Sequence, residues 1–142
     1  MVEVYQACSS REIDADLLLG LTNGWNAVFG LLRETGVGAL PRLGGLEITL
    51  LDDDEMARIH GEFLDDASPT DVITFDHGEL LVGVESAQRQ AAIFASSPAR
   101  EIALYGIHGM LHLAGYDDRC EKDAQEMAIR QMELLERFFS SL

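Results

Sequence analysis

The chain is 142 residues long, 47% hydrophobic and 25% charged, the make-up of one ordinary globular domain with enough residues to bury a core. Ten basic residues against 25 acidic ones leave a formal charge of −15, a field that disfavours free nucleic acid, DNA included, and membrane surfaces, and that suits basic partners. No apolar stretch approaches a membrane span, no basic-then-apolar leader opens the chain, and two cysteines, Cys8 and Cys120, are too few for a disulfide framework, so a cytoplasmic protein is expected.

In chain order, VEVYQAC (2–8) alternates and is rich in β-formers, which predicts a strand. Asp14 can cap a helix through residue 35, with Trp25, Val28, Phe29 and Leu32 at helical spacing and Gly36 as its stop. GVGALPRLGG is a turn-rich connector, and LEITLL (46–51) a second strand. Asp52 and Asp53 are candidate caps for a helix over roughly 55–64, and DDASPT is a loop. DVITF (71–75) and ELLVGV (79–84) predict a hairpin about a turn at Asp76, His77 and Gly78. A helix from about Ser86 to Ala95 follows, then one opened by Pro98 and ended by Gly115. The last helix runs from about Glu121 to Phe139, with Met127, Met132, Leu135 and Phe139 for its core face. Strands interleaved with helices in this order predict an α+β domain over 1–142, a small mixed sheet packed with four or five helices.

The stretch HGMLHLAGYDDRC (108–120) carries the chemistry. Histidines four apart in a helix share a face, with Cβ atoms about 5–6 Å apart, so His108 and His112 can reach one ion. Gly115 can turn the chain back, which makes Asp117, Asp118 and Cys120 rival third ligands. Two nitrogens and one further ligand with a position left open is the arrangement of catalytic zinc sites. A zincin protease is excluded, because Gly109 stands where its general-base glutamate belongs, and Glu101 lies two turns away, roughly 10 Å. The bland alternative is a pair of helix histidines that only pack or bond backbone carbonyls.

HGMLHLAGYDD closely resembles HGxLHLxGYDH, the signature of the YbeY endoribonuclease family, bacterial metal-dependent hydrolases implicated in ribosomal RNA maturation. SPTDVITFDHGELLVG resembles that family's PTDVLSFP…GDIVI segment, and LEITLLDDDEMARIHGEFL its strand and helix ahead of that loop. The resemblance covers roughly residues 45–120. It implies that His108 and His112 are the first two metal ligands and that Asp118 stands in place of a third histidine. An extra negative charge there makes the ion a weaker Lewis acid and favours harder metals. The family pattern NxxYRxxDxPTD becomes HxxFLDDASPTD, so His60 replaces Asn and Leu64 replaces an Arg thought to line the substrate channel. Arg58, Arg100 and Arg119 are candidates to replace it.

The expectation is a zinc-dependent, single-strand-directed endoribonuclease in maturation of the small-subunit ribosomal RNA 3′ end and in ribosome quality control. Its partners would be ribosomal RNA, the ribosome and ribosome-associated proteins. One Zn2+, or another divalent ion, would sit on His108, His112 and Asp118. Asp117 and Glu79 are candidates to orient water or the imidazoles, and Thr70 and Asp71 to line the channel. Local readings compete: Glu79 as a solvent-facing strand residue, Thr70 and Asp71 as loop-backbone partners. Two other functions stand against the nuclease, a metallohydrolase of another substrate class and a metal-stapled adaptor without activity.

Overall fold

The computed structural model describes residues 1–64 and 71–140. Strand β1 (Val2–Gln6) lies parallel to β2 (Leu46–Leu51), Val2 opposite Leu46 and Gln6 opposite Leu50. Helix α1 (Ala15–Thr35) connects them by way of a single 3-10 turn at Leu40–Arg42. Asp14 caps α1, its Oδ1 accepting from the Leu17 N–H at 2.8 Å, which satisfies one of the orphan donors of the first turn. After β2 come α2 (Asp53–Leu64), β3 (Val72–Phe75) and β4 (Glu79–Gly83). Helices α3 (Val84–Ile93), α4 (Pro98–Leu113) and α5 (Glu121–Ser140) complete the chain. The sheet order is β1-β2-β4-β3, with β2 and β4 parallel and β3 antiparallel on the edge. This is the expected α+β architecture, a small mixed sheet with five α-helices.

Both faces of the sheet are covered, and β4 shows it. Leu80 and Val82 join the main core with α1, α4 and α5, while Leu81, one residue out of phase, joins Leu51, Met56 and Ile73 beneath α2. Trp25 is central to the main core. It is fully buried, its Nε1–H donates to the Ala103 carbonyl at 3.1 Å, and its ring meets Phe138 edge-on at 6.2 Å. Two glycines let α4 lie this close to its neighbours. A Cβ on Gly106 would stand 2.4 Å from the Trp25 ring, and one on Gly109 would stand 3.0 Å from both Leu80 methyls. None of the helices among the described residues is long and apolar enough to cross a membrane.

Three details depart from expectation. Val84 opens α3 rather than ending β4. Asp52 and Asp53 do more than begin α2, since Asp52 accepts from the Ser9 N–H and hydroxyl and Asp53 pairs with Arg89 at 2.6 Å. On α5 the buried face is Met127, Leu134, Leu135 and Phe138, while Met132 (48% exposed) and Phe139 (41%) face outward. Met127 and Leu135 are buried as expected, but the helix carries apolar residues on both sides, so the pattern alone did not choose Leu134 and Phe138 over Met132 and Phe139. Cys8 is buried and Cys120 exposed, and both are free. Burial pushes the Cys8 thiol up, which keeps it protonated and unreactive.

Phe138→Ala should cost about 3–5 kcal/mol, the range for emptying a buried aromatic site. The check is urea unfolding followed by fluorescence of Trp25, the one tryptophan in the chain.

Candidate metal centre

Helix α4 presents the centre. Ser97 caps it, its hydroxyl accepting from the Arg100 N–H at 3.1 Å, and Pro98 sits at the first helical position, where its missing N–H costs nothing. With Gly106 and Gly109 pressed against Trp25 and the sheet, the adjoining stripe at i, i+4, i+7 and i+11 carries Glu101, Tyr105, His108 and His112. Both histidines are half-buried.

The two imidazoles converge. Their rings lie 4.7 Å apart, and Nε2 of His108 stands 3.1 Å from Nε2 of His112. Two nitrogens bound to one tetrahedral zinc at 2.0–2.1 Å would be roughly 3.3 Å apart, so this spacing fits a shared ion. Nδ1–H of His108 donates to Oε1 of Gln131, on α5, at 2.8 Å. That bond leaves the lone pair of His108 on Nε2, aimed at His112, as carboxylate and amide partners do for metal-ligating histidines.

The third member arrives through the end of α4. The Gly115 N–H bonds to the His112 carbonyl at 3.1 Å, and the Tyr116 N–H to the Leu111 carbonyl at 3.0 Å. These paired bonds form a Schellman motif, which needs a left-handed residue just past the cap, and Gly115 has φ +96°. A Cβ there would also stand 2.6 Å from a Val37 methyl. The reversal brings Asp118 back: its carboxylate and the two imidazoles offer ligand atoms all within 4.8 Å of one another. The donor set of two neutral nitrogens and one carboxylate could hold a divalent ion.

The other sequence candidates separate. Asp117 and Cys120 are outside this group. Asp117 serves the loop instead, Oδ1 accepting from the Asp118 N–H at 2.7 Å and Oδ2 pairing with Arg119 at 2.9 Å. Asp71 is exposed and lines a depression of about 280 Å3 with Val72, Leu104, Tyr105, His108 and Gln131. Thr70 lies outside the described residues. Glu79 is in register with Phe75 and shares the strand phase of Leu81, so its side chain is on the α2 face of the sheet, away from Gly109 and α4. There it sits 3.3 Å from His77 Nε2, in a separate depression with Glu3 and Glu47. Gln131 and Tyr105 escaped the sequence reading. Gln131 follows Asp118 by thirteen residues on another helix, and the only signal for Tyr105 was its i−3 spacing from His108.

The class so defined is an α+β domain with a candidate divalent-metal centre, a histidine pair and a carboxylate gathered at the end of one helix. The sequence profile described as Endoribonuclease YbeY matches residues 32–139. Endoribonuclease YbeY of Bacillus thuringiensis is 33% identical over 112 residues, covering 66% of this chain and 72% of that protein, and the Bacillus cereus protein of the same name matches to the same extent. The solution structure of TM1509 from Thermotoga maritima superposes with a TM-score of 0.70 at 24% identity, covering 99% of this chain and 90% of that one, which is a likeness of fold. The chain belongs to the YbeY endoribonuclease family.

Gln131→Leu should lower metal affinity about 10–100-fold with the fold intact, because the His108 ring loses the partner that sets its tautomer. Competition with a chromogenic chelator, alongside circular dichroism, measures both halves. Gly115→Ala should destabilise by at least about 1–3 kcal/mol through the left-handed backbone alone, read from the urea midpoint.

Proposed function

We propose that the chain is a zinc-dependent endoribonuclease that matures ribosomal RNA in the cytoplasm, with His108, His112 and Asp118 as metal ligands. The observation that carries the reading is the convergence of two imidazole Nε2 atoms, 3.1 Å apart, and one carboxylate in a member of an endoribonuclease family. A divalent ion held there supplies Lewis-acid stabilisation of phosphoryl charge and a more acidic water.

The chain's own groups do the rest. Gln131 fixes the direction in which His108 offers its nitrogen. Asp117 holds the Asp118 backbone in place and keeps Arg119 beside it. Arg119 takes over the phosphate contact that the family pattern gives to an arginine at Leu64. Of the three candidates, the Arg58 guanidinium is already shared by Glu55 and Glu62, and Arg100 lies in the first turn of α4, eight residues and roughly 12 Å of helix before His108. Arg119 adjoins Asp118 and is exposed, so it can leave Asp117 for a phosphate oxygen. Asp71, beside His108, lines the path of the RNA. Glu79 has no part in this scheme, being on the opposite face of the sheet.

The charge of −15 bears on the partner. Beyond about 8–10 Å salt screens it, so Arg119 can act locally, but it stands among Asp117, Asp118 and Glu121, so free RNA is held weakly and the ribosome supplies the rest of the contact.

Metal analysis of the purified protein should find about one zinc per chain, lost in His112→Ala and Asp118→Ala and kept in Cys120→Ala. Single-stranded RNA cleavage should follow the metal and stop with chelator, and Arg119→Ala should slow it about 10–100-fold. A protein refolded with zinc that holds none, or cleavage that survives exhaustive chelation, would overturn the reading.

A further inference from the structure

The depression beside His108 is built unlike a phosphate site. At about 280 Å3 it is near the lower size limit of ligand pockets, roughly 300 Å3, and its walls are Val72 and Leu104. Its polar side chains are the exposed Asp71 carboxylate, Tyr105, and Gln131, whose amide oxygen is already committed to His108. Tyr105 is 7% exposed, and its hydroxyl has no hydrogen-bond partner among the described residues. A buried hydroxyl without a partner costs free energy that a ligand acceptor would return. Burial, reinforced by the Asp71 and Glu101 charges against the opposing Arg89, pushes the phenol up, so it stays protonated and remains a donor.

We infer that this depression is a nucleobase subsite, which takes the Watson–Crick edge of a guanine flanking the scissile phosphate. The inference rests on the endoribonuclease reading and deepens it. A carboxylate repels phosphate but accepts paired N–H donors. Guanine offers two such donors side by side, N1–H and the exocyclic amine, with the O6 acceptor next to them. Asp71 takes the donors and the Tyr105 hydroxyl donates to O6, while Val72 and Leu104 close on the ring. Uracil turns two carbonyl oxygens to the same edge, and these meet the carboxylate unfavourably. Adenine and cytosine each present one amino group beside an unprotonated ring nitrogen and satisfy half of the pattern. Tyr105 precedes His108 by three residues on one helix face, a rise of roughly 4.5 Å, so a base seated here leaves its own phosphodiester close to the metal group. Single-stranded RNA lends itself to this, because its unstacked bases can be splayed out and read on that edge.

The test is titration of the full chain, with zinc supplied, against the 5′-monophosphates of guanosine, adenosine, cytidine and uridine, monitored by amide chemical shifts. Cleavage of a uridine-only oligonucleotide and of one with a single guanosine runs in parallel. Guanosine monophosphate should bind at least about fivefold tighter than uridine monophosphate and shift the amides of residues 71–72 and 104–105. Tyr105→Phe should weaken the guanosine ligand about 2–10-fold, and Asp71→Asn should flatten the preference, both with unchanged thermal melts. Four ligands bound alike, none bound, or a ratio untouched by both substitutions overturns the base site. If RNA is still cut in that case, the endoribonuclease reading survives. Selective binding without cleavage of either oligonucleotide does the opposite, upholding the base site and removing the nuclease.

Discussion

The constraint on which the rest of the molecule depends is the close approach of α4 to the sheet and to α1. Gly106 lies against the Trp25 ring and Gly109 against the Leu80 methyls, at distances where a Cβ would stand 2.4 and 3.0 Å away. Interiors are close-packed, so a helix seated at two such contacts three residues apart is fixed in rotation as well as position. The stripe beside that face is then determined. Glu101, Tyr105, His108 and His112 have no choice of direction, and the cleft is laid out along that line. The glycine that follows His108 is therefore a packing residue. A glutamate in its place would break the contact that aims the histidines.

The site divides into a rigid part and a tethered part. His108 and His112 belong to a packed helix, and Gln131 locks one ring from α5. Asp118 hangs on a Schellman turn and on the Asp117 carboxylate, in an exposed stretch. Helix α5 is thus a wall of the centre, joined to α4 through His108 and to α1 through Phe138 and Trp25. A change in core packing at Phe138 has a covalent route along α5 to Gln131, seven residues away.

How much of this was legible in the sequence follows from the range of each signal. The Schellman glycine and the i, i+4 histidines are local, so residues 108–118 disclosed the centre by themselves. The strands and helices came from strong periodic runs, whereas the order β1-β2-β4-β3 depends on pairings between distant segments that no local pattern carries. Glu79 was opaque because ELLVG is apolar throughout its remaining length: a sheet covered on both faces erases the alternation that would reveal which way each residue points. The phase of α5 was opaque for a related reason, with Ile129, Met132 and Phe139 adding apolar residues to the outer side. Gln131 was out of reach for any local reading, since its link to His108 spans 23 residues and two helices. The unpartnered hydroxyl of Tyr105 exists only once burial is known.

The replacement of the family's third histidine by Asp118 has a geometric side as well as an electrostatic one. An aspartate is shorter than a histidine, and the three ligand atoms spread to 4.8 Å where the two histidine nitrogens alone are 3.1 Å apart. The carboxylate would have to close that gap around an ion, and it is carried by an exposed loop rather than by the packed helix. The histidine pair is thus already at the spacing an ion would need and the carboxylate is not, so an ion held here would spend part of its affinity on positioning Asp118. The Asp117–Arg119 pair reaches from residues 116–118 to the residue just past them. The Asp117 carboxylate is shared between the Asp118 N–H and Arg119, so the position of the third candidate ligand rests on contacts that solvent reaches.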